Sequence, residues 1–369
     1  ASAVNLDSLW GVWNDKSQPD TNRLNAIDKI AWDGYLFSQP DSAFYLANLQ
    51  FNLAEVIGNK QSMADALNTQ GATFYIQGNY DKALEYYDKS LKIKEEIGNK
   101  NGMADSYGNM GSIYSDQGNH EQALEYNQKS LEIFEEIGNK RGMAASYNNI
   151  GIVYLNQGNY EKALLYYDKS LKIDEETGNK RGMASSYNNF GIIYYRQGNY
   201  EKALKYYDKS LKIEEEIGNK TGMAGSYNNM GSLAFEQGNY LEALDLGKKG
   251  LAMAQEVGVV TEIKEASNLL YDIYKKTGQP AKALEMYELY TEMRDSLNSM
   301  NNKEAAIKLE YQHKYETQAA IDSVAHAKAQ ALREEQIKRQ RAELESEQTF
   351  RGVLFAGIGL ISIFLIFAI

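Results

Sequence analysis

The sequence predicts an all-α chain: a solenoid of stacked helical hairpins, then one long helix, then a membrane-spanning helix. Three observations carry that expectation. Short motifs recur at a fixed step of forty residues through most of the 369-residue chain. Residues 301–350 contain neither glycine nor proline. Residues 352–369 read GVLFAGIGLISIFLIFAI without a single charge.

A fixed period of this size marks a repeat array, in which each unit is one supersecondary element. Gly-Asn-Lys begins at Gly58, Gly98, Gly138, Gly178 and Gly218, and Gln-Gly-Asn at Gln77, Gln117, Gln157, Gln197 and Gln237. Ala-Leu recurs at Ala83, Ala123, Ala163, Ala203 and Ala243. The register reaches degenerate flanks at Pro40 and Pro280, with Ala43 and Ala283 behind them. The expected organisation is an N-terminal cap segment at 1–20, seven units over 21–300, a long juxtamembrane helix at 301–350 and a transmembrane helix at 351–369.

Each unit reads as two helices. In 141–180, Met143, Tyr147, Ile150, Gly151 and Tyr154 fall at helical spacing, and Gly158 then stops the helix in a left-handed cap. Asn159 is the expected N-cap of a second helix, with Glu161 in its first turn and Ala163, Leu164, Tyr167, Leu171 and Ile173 on its buried stripe. Gly151 lies mid-helix, where glycine costs about 1 kcal/mol against alanine. Its recurrence at Gly71, Gly111, Gly191 and Gly231 implies a steric demand, read here as two helix backbones crossing closely over Gly151 and Ala163.

The pattern Tyr147, Ile150-Gly151, Tyr154, Ala163, Tyr167 and Ser170 resembles the tetratricopeptide repeat. The forty-residue form is similar to that of kinesin light chain and related scaffolds, although the usual late proline of the second helix is missing. The resemblance implies a right-handed superhelical solenoid whose first helices line a concave groove for a peptide or protein ligand. Carried over by position, that groove takes Asn148, Asn149, Ile152, Leu155 and Asn156 from one unit. Asn68, Asn109, Asn188, Asn189, Tyr195, Arg196, Asn228 and Asn229 come from the others. An amide both donates and accepts, so such a ladder suits an extended peptide backbone. The same amides could equally serve only to join neighbouring helices. Chaperone-binding arrays of this family use a basic clamp for a carboxylate. The matching positions here are Asp105, Ala145, Ser185 and Gly225, with Arg196 the one cation placed in the groove, so no such clamp is expected.

Residues 301–350 are rich in strong helix formers. Only Ile337 and Leu344 form a clean heptad step, so a coiled coil and a solvated single helix both remain open. The run 352–369 is about 27 Å long as a helix, near the roughly 30 Å of a bilayer core. Gly352 and Ala356 form a small-xxx-small pair suited to dimer packing. The stretches Tyr311-Gln312-His313-Lys314-Tyr315 and Gln318-Ala319-Ala320-Ile321-Asp322-Ser323 resemble the juxtamembrane region of bacterial single-span receptors. That resemblance implies a periplasmic array, signal transduction through the helix and span, and a cytoplasmic nucleotide cyclase, histidine kinase or serine phosphatase. A cluster of Lys338, Arg339, Arg341 and Arg351 before the span points instead to a cytoplasmic array by the positive-inside rule. A membrane-anchored scaffold that only recruits partners is the alternative function.

Composition narrows the chemistry. A formal net charge of −11 disfavours nucleic acid and anionic lipid as main partners. With no cysteine there is no disulfide, thiolate metal site or cysteine nucleophile. His120, His313 and His326 lack metal-ligand spacing, and Glu95-Glu96 and Glu135-Glu136 repeat as a solvated helix face. No catalytic residue, cofactor or metal ligand is expected, and the chain reads as a binding region.

Overall fold

The computed structural model describes residues 5–298, and among them every regular element is helical. The chain enters through α1 (Leu6–Asn14), then α2 (Asp20–Lys29), a π-helical segment (Ile30–Tyr35) and α3 (Pro40–Ile57). Six further hairpins follow: α4 (Lys60–Ile76) with α5 (Tyr80–Glu96), α6 (Lys100–Asp116) with α7 (His120–Glu136), and α8 (Lys140–Asn156) with α9 (Tyr160–Thr177). Then come α10 (Lys180–Arg196) with α11 (Tyr200–Glu216), α12 (Lys220–Glu236) with α13 (Tyr240–Val257), and α14 (Val260–Lys276) with α15 (Pro280–Asn298).

One two-residue joint makes nearly every turn. Gly158 has φ 73°, and Asn159 N–H donates back to the Tyr154 carbonyl at 2.8 Å, closing a Schellman cap. The Asn159 side chain then accepts from Lys162 N–H at 3.2 Å and starts α9. Gly178 and Asn179 repeat the device between α9 and α10. Positive-φ glycines of this kind recur every twenty residues from Gly58 to Gly278. One joint type therefore serves both within and between hairpins.

The mid-helix glycines have a different cause from close backbone approach. A β-carbon on Gly151 would stand 2.6 Å from the Tyr167 ring, and one on Gly191 2.4 Å from Tyr207. These glycines are seats for buried aromatic rings carried by the second helix, and both tyrosines are all but inaccessible to solvent. Burial of such a side chain is worth about 1.5–3 kcal/mol, enough to offset the helical cost of the glycine. In the sixth hairpin the ring position holds Gly247, and Leu269 from α14 reaches over Gly231 instead.

A second small-against-large pairing joins one hairpin to the next. The buried position near the end of the second helix runs Ala54, Lys94, Phe134, Asp174, Glu214, Ala254. The facing position, eight residues on, runs Ser62, Gly102, Gly142, Gly182, Gly222, Glu262. Glycine faces each of the four large side chains, and a β-carbon there would lie 2.2–2.9 Å from it. Where the first position shrinks to alanine, the second grows. Each of the four large side chains thus fills the space that its facing glycine leaves.

The outer edges are polar. Tyr166 packs on Tyr147 and Tyr154, and Lys169 lies over the Tyr147 and Tyr166 rings at 5.2 and 4.9 Å. Ion pairs such as Lys60–Glu96 and Lys140–Glu176 recur between the start of a first helix and the end of its second. Exposed pairs like these contribute about 0–1 kcal/mol each, so packing and not charge holds the array. At the N-terminal end, Leu6, Leu9, Trp10 and Trp13 of α1 cover Ile27, Ile30, Ala31 and Leu46.

The expected long helix at 301–350 and the expected span at 351–369 lie outside the described residues. Among the described residues no helix is long and apolar enough to cross a membrane.

Candidate functional site

The first helices α4, α6, α8, α10, α12 and α14 share one face, and their asparagines meet across it. Asn109 Nδ2 donates to Asn68 Oδ1 at 3.1 Å, Asn189 to Asn148 at 2.8 Å, and Asn229 to Asn188 at 2.8 Å. Each pairing spans forty-one residues and ties one hairpin to the next. A side-chain amide offers two donors and two acceptor lone pairs, so every pair keeps hydrogen-bonding capacity beyond the link itself. The ladder breaks at Asn149, because the position that would receive its amide is Gly108.

The remaining expected residues divide. Ile152 packs on the edge of a core cluster. Leu155 does not belong to the groove wall: it is 5% exposed and sits in the core with Ala163, Tyr167 and Ile193. Its position along the helix turns it one step past the ladder, toward α9. Asn156 donates to Ser115 Oγ at 3.2 Å. Arg196 is exposed, and its guanidinium approaches the Leu155 carbonyl at 3.5 Å. Asn228 is buried and turns its amide to Glu262, 3.2 Å from Nδ2 to Oε2.

Two cavities open on this face. The larger, about 570 Å³, lies among α10, α12 and α14 and is lined by Asn188, Tyr195, Ser226, Asn228, Asn229, Ser232, Phe235 and Asn268. Glu214, Glu236, Glu262, Glu265 and Asp272 complete its wall, which carries no Lys, Arg or His. The smaller, about 450 Å³, is lined by Arg141, Asn148, Asp174, Asn179 and Arg181, and shares Ser185, Glu214 and Asn219 with the first. Arg141 and Arg181 are thus groove cations beyond Arg196, and the sequence reading missed them. Their signal was variation against a constant background: that position reads Asn101, Arg141, Arg181, Thr221 while its neighbours barely change.

Burial shifts the acids of these walls. It pushes the Glu214 carboxyl above the usual carboxylate range, opposed by a hydrogen bond from Asn219 and by Arg181. It raises Glu262 likewise, against the Asn228 hydrogen bond. Tyr195 is raised by burial and by the nearby Glu236 charge. Among the described residues no three His, Asp or Glu side chains converge as a metal site.

A family model described as tetratricopeptide repeat matches residues 62–136, 102–176, 142–216, 182–256 and 222–296. No curated protein matches the chain. Three solved structures show the same fold. A Rap protein complexed with Competence and Sporulation Factor is 15% identical, with a TM-score of 0.53, covering 86% of this chain and 98% of its own. NprR in complex with its cognate peptide NprX is 19% identical, with a TM-score of 0.52, covering 84% and 96%. A signal transduction ATPase with a tetratricopeptide repeat sensor, from Pyrococcus horikoshii, is 17% identical, with a TM-score of 0.51, covering 86% and 53%.

Proposed function

Because this chain belongs to the tetratricopeptide repeat family, we propose that its first-helix face binds an extended peptide or a peptide-like segment of a partner protein. The observation that carries this reading is the amide ladder running past two adjoining polar cavities. Paired amides are held in fixed orientation by their neighbours, and they retain donors and acceptors for a peptide main chain. NprR was solved with its cognate peptide bound, and the Rap protein in complex with Competence and Sporulation Factor. Binding, and not turnover, is the role of this chain.

Asn149 gives the cleanest test, because no preceding amide receives it. Asn149→Ala should weaken peptide binding while leaving helicity and unfolding midpoint unchanged. Asn189→Ala removes the link to Asn148 as well and should lower stability by about 1 kcal/mol. Equal loss of fold and binding in both variants would reduce the ladder to a structural tie.

In the wider reading, the array is the input of a single-span receptor. Its ligand state would pass through residues 301–350 and the span at 351–369 to a nucleotide cyclase, histidine kinase or phosphatase. The charge-free run 352–369 supports that reading. The second reading, a membrane-anchored scaffold, rests on the same run without an output domain. A reporter fused before residue 1 separates the topologies: a cytoplasmic reporter overturns the periplasmic-sensor version. The reading frame beyond Ile369 separates receptor from scaffold.

A further inference from the structure

We infer that the cavity among α10, α12 and α14 is a subsite for one basic side chain, lysine or arginine, of the bound peptide. The inference rests on the peptide-binding reading above and names the ligand's chemistry. Three observations converge on it.

The wall of this cavity carries five carboxylates and no Lys or Arg of its own, although Arg181 of the adjoining cavity acts on Glu214 and Lys264 on Glu262. Glu265 alone among them is tied to a neighbouring lysine, at 3.1 Å. A flat acidic face would simply be solvated, but this one lines a half-open cleft of about 570 Å³, a volume that accepts a long side chain.

Glu214 supplies the second observation. It is 6% exposed, and its Oε2 has no hydrogen-bond partner. Its carboxylate lies over the Cα of Gly222, where a β-carbon would stand 2.3–2.6 Å from the carboxyl atoms, and both residues line the cavity. A buried carboxylate oxygen without a donor is costly, and a guanidinium or ammonium entering from the cavity would satisfy it.

The third observation selects the kind of cation. Since no three acidic side chains converge closely enough to ligate a metal ion among the described residues, the negative charge is spread along the wall. A spread arrangement suits a several-donor organic cation better than a compact hard ion. Phe235 and Leu269 in the same wall offer apolar surface for the methylene stem.

The test uses the full chain and fluorescein-labelled pentapeptide pools, degenerate except for a central arginine, lysine, norleucine or glutamate. Fluorescence anisotropy should rank arginine and lysine above norleucine by about tenfold, the worth of one charge-assisted hydrogen bond. Glutamate should rank last. Glu214→Gln with Glu262→Gln should bring the arginine and norleucine pools within about threefold of each other. Glu236→Lys, at an exposed position, should lower affinity for the basic pools only and leave the unfolding midpoint unchanged. Equal affinity for arginine and norleucine pools overturns the basic subsite and leaves peptide binding standing. Failure of every pool to bind overturns both. Tighter binding of calcium ion than of the arginine pool would also overturn the inference, in favour of a metal site.

Discussion

Two glycines in one helix should respond to the same substitution with opposite signs. In α6, a β-carbon on Gly108 would meet Ser130 Oγ at 3.5 Å and Asn149 Nδ2 at 3.8 Å, both ordinary contacts. Gly108→Ala therefore gains only helix propensity and should stabilise by about 0.5–1 kcal/mol. A β-carbon on Gly111 would stand 2.7–2.8 Å from the amide of Asn127. Asn127 is fully buried and donates to the Ala123 carbonyl at 2.8 Å, so it cannot swing aside. Over-packing there costs about 1–3 kcal/mol, and disturbing the hydrogen bond costs about 1 more, against a propensity gain of about 1. The net loss should be about 1–3 kcal/mol. Repeat arrays open locally, so a single unfolding midpoint would blur the effect. Hydrogen exchange on the amides of α6 and α7 reads it directly. Protection should fall at least about fivefold for Gly111→Ala and rise several-fold for Gly108→Ala, since 1.4 kcal/mol is a factor of ten. Amides in α12 and α13 should not change. A common shift of the same sign for both variants would refute the ring-seat and side-chain-seat account of these glycines.

Other substitutions probe other buried groups. Burial raises Asp28 from 3.8 to about 6, with Gln50 Nε2 donating to it at 3.1 Å. Because the folded-state value is the higher one, the fold binds the extra proton between those values. Stability should fall as pH rises from about 4 to 6, by up to roughly 3 kcal/mol. Asp28→Asn should flatten that profile and raise the urea midpoint at pH 8, and an unchanged profile would count against it. Asp174→Phe copies the Phe134–Gly142 pair onto Gly182, which already leaves the room. It should raise thermal stability by about 1–2 kcal/mol, the worth of an apolar ring in place of a buried carboxylate. A drop in midpoint would show that Gly182 is not a transferable seat. Lys94 is buried against Ser106 at 3.0 Å, with Asp65 and Asp105 nearby and its amine pushed down by burial. Lys94→Met should stay within about 1 kcal/mol of the parent, whereas Lys94→Glu should lose about 3–5 kcal/mol by thermal unfolding. Similar midpoints for the two variants would mean that the charge is not buried.

The joints were legible in the sequence because their cause is local. Gly158 and Asn159 need nothing beyond backbone chirality and one side-chain cap, and the structure places both as read. Gly151 was legible as a steric demand but not as a seat for Tyr167, because its partner lies sixteen residues on, in another helix. The exchange between Lys94, Phe134, Asp174 and Glu214 and their facing glycines was visible as compensating change down two columns, yet only packing reveals that the columns touch. The amide ladder was read as either groove or tie. Its pairings show the tie, each linking one first helix to the next. Leu155 was misplaced because a groove carried over by position does not show which neighbouring helix covers each side chain, and the second helix of its own hairpin buries this one. The acidic cavity escaped notice because its five carboxylates come from several hairpins, each unremarkable alone.

The shared Gly-Asn joint also bears on how such a chain changes length. Since the turns from Gly58 to Gly238 close on the same Gly-Asn pair at twenty-residue intervals, equivalent joints in different hairpins present the same backbone to whatever follows. A recombination event between two joints of the same phase inserts or removes whole forty-residue blocks and never leaves an unpaired cap. The graded column from Ala54 to Ala254 then decides which blocks stack well after such an exchange: a block ending in phenylalanine or glutamate tolerates only a successor that opens with glycine. Array length can thus change by whole blocks, while block order is constrained by the fit of one side chain per junction.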